Sequence, residues 1–325
     1  MSYKIRRIPL FLRNALAVFR EIQQQKIFNS KYLYPLLQGL EARHNGKFTP
    51  EQKQKIANYY GLYIAAFLGS AYKLLYGEKL NEAEREKAIF FAILTATGDD
   101  LTDIDKISAE ELLSLTLDPY PFQPRSFLAK VARDLQIRML EKVNNRQDYL
   151  DDARAVWQAQ KNSEQQTRPL PDELLRAITF EKGAVSVIIY HHCLDQPMGN
   201  ALRKALWHTG ALYQWGNDLF DVYKDLRDGV FTLPLQCADF REMKKDFLQM
   251  VEKQNAAIRS LEASESAKRN FRIRINAINA RSLVAIDHFI SLNAPDVKNC
   301  DRRELITDME KPANFMKWLS YCLEM

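Results

Sequence analysis

The chain has 325 residues, 46% hydrophobic and 27% charged, with 11 glycines and 12 prolines. This is a globular composition with length for one large core or two smaller ones, which excludes a fibrous or disordered chain. The net charge of +5 is spread along the sequence, which suits a protein that handles anionic small molecules. No basic run is dense enough to argue for nucleic acid.

Residues 9–28 read as a basic amphipathic helix opened by Pro9, with Leu12, Ala15, Val18, Phe19 and Ile22 set among arginines and lysines. Such a helix packs against its own domain or lies on an anionic membrane, so peripheral membrane contact stays open. Lys4, Arg6, Arg7 and Arg13 break up the early apolar segment, which argues against a signal peptide. A short helix over 30–44 ends near Asn45-Gly46. Thr49-Pro50-Glu51 starts the next, which runs to about Tyr76, is apolar nearly all round from Gly61 to Leu75, and stops at Gly77.

The following helix starts at Asn81, with Glu82 and Glu84 in its first turn. It carries the apolar run Ala88–Thr97 into Gly98-Asp-Asp-Leu-Thr-Asp-Ile-Asp105. Acidic residues at a helix C-terminus oppose the macrodipole by about 0.3–1 kcal/mol each at exposed sites. Asp99, Asp100 and Asp103 are therefore poorly explained by stability. If the helix continues, Phe91 and Thr95 share a face with Asp99 and Asp103 and form an apolar wall below the carboxylates. The alternative is a polar C-cap and turn at Gly98.

Helices near 126–142 and 146–161 follow a Pro-containing loop at 118–124. The segment Leu174–Leu194 looks broken at Glu181-Lys182-Gly183, because an interior glycine costs about 1 kcal/mol against alanine. Arg176 and Lys182 flank that break. Residues 199–228 read as one long helix, with Asn217, Asp221 and Asp225 at every fourth position. That spacing stacks side chains about 5–6 Å apart on one face. Two carboxylates and an amide in a row suit a hard divalent cation such as Mg²⁺, whose remaining ligands come from phosphates. Lys224 and Arg227 stand where they could meet such phosphates. Tyr213 and Gly210 extend the face backwards, as pocket wall or as close packing. Further helices are expected near 239–263, 266–292 and 301–323.

Cys193, Cys237, Cys300 and Cys322 lack metal-ligand spacing and read as reduced thiols of a cytoplasmic protein. No stretch approaches 18 uninterrupted apolar residues, so no transmembrane segment is expected. His191 and His192 beside an apolar run read as structural. Glu41-Ala-Arg-His44 is a single ExxH, and a di-iron bundle needs two. The expected fold is all-α, one helical domain over residues 1–325.

The acidic stretches carry a resemblance. Asn217-Asp-Leu-Phe-Asp221-Val-Tyr-Lys-Asp225-Leu-Arg227-Asp-Gly229-Val-Phe-Thr-Leu233-Pro234 resembles the second aspartate motif of squalene and phytoene synthases, approximately NxLxDVxxDxRxGxxxLP. Asp99-Asp-Leu-Thr-Asp103 is similar to the first motif and falls upstream, as the family requires. Asn217, Asp221 and Asp225 also occupy the three ligand positions of the corresponding terpene cyclase motif. The match covers about twenty residues and is compatible in helix order from Tyr60 to Leu235.

The resemblance implies a class I isoprenoid synthase fold, in which two acidic helices face each other across an apolar cavity. It implies a Mg²⁺ cluster bound with the diphosphate of a prenyl substrate. Asp99, Asp100 and Asp103 would hold metal on one side, and Asn217, Asp221 and Asp225 on the other. Asp99, Asp103, Asp221 and Asp225 would thereby be the catalytic carboxylates. Arg176, Lys182, Lys224 and Arg227 would contact diphosphate, and Phe91, Thr95, Gly210 and Tyr213 would line the hydrocarbon pocket. The implied activity is ionisation of a prenyl diphosphate and coupling of the carbocation to a second prenyl chain. Asp228 and Val230 stand where phytoene synthases carry basic residues. Three rivals therefore stay in view: a terpene cyclase, a non-catalytic prenyl-lipid-binding protein, and a membrane-surface adaptor built on residues 1–28. Oligomeric state has no signature in the sequence.

Overall fold

Among the described residues every regular element is a helix. The computed structural model describes residues 2–292 and 297–325, leaving aside the side chains of residues 2–6 and of Asp103. In chain order the helices of the first half are α1 (Ser2–Phe28), α2 (Tyr34–His44), α3 (Pro50–Gln54), α4 (Ser70–Leu75), α5 (Glu82–Asp103), α6 (Ala109–Leu117), α7 (Phe127–Lys142) and α8 (Arg146–Ser163). The second half has α9 (Asp172–Ile189), α10 (Asn200–Phe220), α11 (Val222–Asp228), α12 (Leu233–Gln236), α13 (Phe240–Arg259), α14 (Glu265–Leu292), α15 (Arg302–Leu305) and α16 (Pro312–Glu324). No helix among the described residues is long and apolar enough to cross a membrane.

Local chemistry places the starts and stops. Thr49 and Asn81 each form a capping box, with Gln52 and Glu84 returning the bond, so two orphan donors are satisfied at each helix entrance. Asn45 closes α2 in the left-handed region at φ 50, and Gly77 takes φ +69 after α4. Between α3 and α4 the chain runs as two π-helical stretches, Lys55–Tyr60 and Leu62–Gly69. The long helix expected over this span is thus present but widened and underwound by its i→i+5 bonds, a form that often marks functional sites.

Several expectations are corrected. Pro9 lies inside α1 instead of opening it. The break expected at Gly183 is absent, and α9 passes through it unbroken. A Cβ on Gly183 would lie 2.1 Å from the Gly210 carbonyl oxygen, and one on Gly210 would lie 2.2 Å from that of Gly183. The two glycines therefore serve a backbone-to-backbone crossing of α9 and α10. The single helix expected over 199–228 is two helices meeting at Asp221, and the one expected over 301–323 is α15 and α16 with a loop between them.

The chain divides into two compact units. One comprises Leu16–Trp157 and Ile189–Met198. Its central element is α5, apolar all round from Ala88 to Ile93 and buried throughout that run, as an interior helix must be. It packs on α7, on both π-helical stretches and on residues Tyr190–Cys193. Glu41 and His44 pair with Lys53 and Asp134, and His192 pairs with Asp152, so these groups hold helices together.

The other unit comprises Met1–Ala15, Gln158–Ile188 and Gly199–Met325. There α10, α13 and α14 pack on one another. Their shared core includes Trp215, Phe247, Leu283, Ile286 and Phe289, and Trp215 meets Phe247 edge to face at 5.3 Å.

Candidate functional site

The second acidic motif is built where α10 gives way to α11. Asp221 sits between them with φ −95 and ψ 6, outside helical geometry, and its side chain makes no capping bond. The backbone ladder nevertheless runs through the bend: the Asp221 amide donates to the Asn217 carbonyl at 2.9 Å, and the Asp225 amide to the Asp221 carbonyl at 2.8 Å. The four-residue succession of Asn217, Asp221 and Asp225 therefore survives. Asn217 and Asp221 are exposed and Asp225 is half-buried. Gly229, at φ +69, turns the chain out of α11. The Phe231 amide then donates to the Gln166 carbonyl at 2.7 Å, and the Gln166 side-chain amide returns a bond to the Phe231 carbonyl at 3.1 Å. The Gln236 side chain likewise clamps both backbone groups of Leu170. These clamps fix the Gly229–Pro234 stretch that follows the carboxylates.

A further carboxylate, missed in the sequence reading, completes this cluster. Asp218 is buried, with the Gln214 amide donating to it at 2.8 Å. Burial pushes its carboxyl up to about 7, and the charges of Asp225 and Asp221 add to the shift against the opposing Gln214 bond. Asp225 is raised to about 6, by burial first and then by Asp221. Lys182 is the cation that favours ionisation of both. Its ammonium lies 3.4 Å from the Ser163 hydroxyl. Asp218 and Asp225 thus share one lysine from α9, with Lys224 also acting on Asp225.

The other basic residues are differently engaged. Arg227 is exposed and grips its neighbour Asp228 through both carboxylate oxygens, at 2.7 and 3.0 Å. Arg176 bonds Asp172 at 2.6 Å and Asp246 at 2.8 Å and lies over the Trp215 ring at 5.5 Å. Gly210 is spent on the crossing with Gly183, and Tyr213 is buried on the same helix.

The first acidic motif belongs to the other unit. There α5 continues through Gly98 to Asp103, so the polar turn is not formed and the carboxylates occupy the last helical turn with no basic residue in it. Asp99 accepts from the Lys55 ammonium at 2.8 Å and from the Tyr60 hydroxyl at 3.1 Å. Asp100 accepts from the Gln52 amide at 2.8 Å. The side chain of Asp103 lies outside the described part of the structure. Earlier on α5, Thr95 lies 3.3 Å from the Tyr190 hydroxyl, and Phe91 is buried and meets Tyr190 and Tyr149 edge to face at 5.6 and 6.0 Å. Burial holds Tyr60 far above the ordinary phenol range, with Asp99 adding to it, and raises Tyr190 to about 12. These phenols stay protonated and act as donors.

Lys55, Tyr60 and Tyr190 had no motif to announce them. Lys55 and Tyr60 are five apart, a spacing that an α-helix splays and a π-helix stacks, and the lysine lies 5.8 Å from the tyrosine ring centre.

No protein-family model and no curated protein matches this chain. Among the described residues no three His, Cys, Asp or Glu side chains converge as a metal site. The chemistry of the second cluster nevertheless fits a hard divalent ion. Its donors are all oxygens, one an amide and the rest carboxylates, and Asp218 and Asp225 are pushed toward protonation by burial first and then by the acidic charge beside them. The first cluster fits less openly, because Lys55 already stands at Asp99.

Proposed function

We propose that this chain is a Mg²⁺-dependent enzyme of the squalene/phytoene synthase type, a class I isoprenoid synthase. It would ionise a prenyl diphosphate and couple the carbocation to a second prenyl chain. The observation that carries this reading is the row Asn217, Asp221 and Asp225. The row is kept in four-residue register through a helical bend, with Asp221 exposed at the bend and Asp218 and Lys182 within electrostatic reach. The row also lies within an all-helical chain, in a stretch that resembles the family's second motif.

In this reading Asn217, Asp221 and Asp225 hold metal, and Asp99, Asp100 and Asp103 do so on α5. Bound Mg²⁺ supplies the positive charge that neutralises a departing diphosphate. Lys182 and Lys224 would bind diphosphate oxygens, and Arg227 would join them only by releasing Asp228. Phe91, Tyr190 and Tyr149 would offer a hydrocarbon chain apolar edges and protonated phenols, without a strong base to quench a cation. Arg176, bound to two carboxylates, has the weakest claim to a diphosphate role.

The test is release of inorganic pyrophosphate from C10, C15 and C20 prenyl diphosphates, with Mg²⁺ or with EDTA, beside an Asp221→Ala/Asp225→Ala variant. Metal-dependent release that is lost in the variant is expected. A folded protein that releases nothing from any chain length refutes the proposal. A free terpene from one substrate in place of a doubled chain would turn the assignment to a terpene cyclase. Binding of prenyl diphosphate without Mg²⁺ and without release would turn it to a carrier.

A further inference from the structure

Helix α1 is docked by its mixed polar face and leaves its apolar face in water. The docked side holds Phe11, Asn14, Glu21, Gln25 and Phe28. Phe11 meets Trp318 of α16 edge to face at 5.7 Å, Asn14 bonds Asn270 at 3.2 Å, and Arg85 donates to Glu21 at 2.9 Å and to Gln25 at 2.8 Å. The opposite side presents Ile8, Leu12, Leu16 and Phe19, exposed by 39, 53, 57 and 59%, and further along Ile27 at 56%. Their spacing of four, four, three and eight residues places all five on one stripe. Folding by core burial alone would put this stripe inward, so its exposure is not accounted for by stability.

The charges beside the stripe share one sign. Arg13, Arg20 and Lys26 are exposed on α1, and the helix has one acidic residue, Glu21, which is buried against Arg85. Helix α16 adds exposed Phe315 and Met316 next to Lys317, with the Phe315 ring tilted against Trp318 at 5.4 Å. A second copy of the chain is a poor occupant, because apposing two such stripes would bring arginines onto arginines.

We propose that α1 rests on the surface of an anionic phospholipid bilayer. Ile8, Leu12, Leu16 and Phe19 enter the boundary between headgroups and acyl chains, and Arg13, Arg20 and Lys26 meet lipid phosphates. The helix lies on the membrane and does not cross it. The contact needs neither Mg²⁺ nor prenyl diphosphate, so it stands or falls apart from the catalytic reading.

The test is co-sedimentation of the full chain with vesicles of phosphatidylcholine alone or mixed with phosphatidylglycerol. Binding to the mixed vesicles is expected, weakened by high salt and roughly thirtyfold weaker in Arg13→Gln/Arg20→Gln, from the attraction typical of each basic side chain at such a surface. Leu12→Gln/Leu16→Gln/Phe19→Gln should lose binding while keeping the helical circular-dichroism signal, because all three side chains are exposed. Equal binding to both vesicle types, or binding unchanged in the apolar variant, overturns the proposal. So does a dimer in solution that the apolar variant converts to monomer while neither form binds vesicles.

Discussion

Asp218 gives the sharpest thermodynamic consequence of the acidic cluster. It is 6% exposed, and its carboxyl is raised from 3.8 in the unfolded chain to about 7 in the folded one. An acid whose folded value is raised takes up a proton on folding, so stability falls as pH rises from the lower value through the higher. The whole penalty is present only above about 7, and it fades as the medium is acidified toward the unfolded value. At roughly 1.4 kcal/mol per tenfold change in proton affinity, the difference between about pH 5 and about pH 8 is on the order of 2–3 kcal/mol. Asp218→Asn keeps an oxygen for the Gln214 amide and removes the charge. Urea unfolding of both proteins in EDTA, from about pH 5 to about pH 8, should show the variant gaining on the wild type as pH rises. A stability difference that stays flat over that range would refute the buried-charge account.

Gly210→Ala places a Cβ 2.2 Å from the Gly183 carbonyl oxygen and 2.6 Å from the Ala184 Cα. These backbone atoms cannot step aside, so it should cost about 3 kcal/mol or more in chemical denaturation. Gly98→Ala, inside α5 with nothing within 4 Å of its Cβ, should instead stabilise by about 0.5–1 kcal/mol, and equal outcomes at the two sites would discredit the crossing. Lys73→Met strands the Glu84 carboxylate, which is fully buried and bonded to that lysine at 2.9 Å. A loss of about 3–5 kcal/mol is expected, with partial recovery in Lys73→Met/Glu84→Gln, which removes the stranded charge and keeps an acceptor for one of the Asn81 and Asp195 amides that the carboxylate takes on separate oxygens.

The entrances of α3 and α5 were legible because side-chain caps mark them in the sequence. Thr49 and Asn81 are followed three residues on by Gln52 and Glu84, and both boxes form. The π-helical stretches were not legible, because a shift of the hydrogen-bond partner by one residue leaves no mark in residue type. Gly183 was misread for a related reason. Its lack of a side chain predicts weakness inside a helix, whereas its use here is approach, and the partner Gly210 lies far along the chain. In the site, the row at 217, 221 and 225 announced itself by spacing. Asp218 did not, because one residue on from Asn217 is a turn of about 100° around the helix, onto the buried side. Its importance comes from burial, which one residue cannot reveal.

The two acidic clusters are not equivalent electrostatically, and this bears on how each would meet a cation. Asp99 already has an ammonium and a phenol hydroxyl on one oxygen, both groups borne by a π-helical stretch. A divalent ion arriving there must displace Lys55 or share the carboxylate with it, so the local gain is small and surface-screened. The cluster at Asp221 has no such partner. Burial raises Asp218 and Asp225, repulsion from the Asp221 charge adds to both shifts, and Lys182 serves the two together. An ion of two positive charges would reverse that repulsion and draw protons off Asp225 and Asp218 at neutral pH. A phosphate group, by contrast, would find the reverse preference: Lys55 at the first cluster is a cation that can turn to it. The second cluster is therefore the place where metal alone has most to gain, and the first is where metal gains most once an anionic substrate has drawn the lysine away.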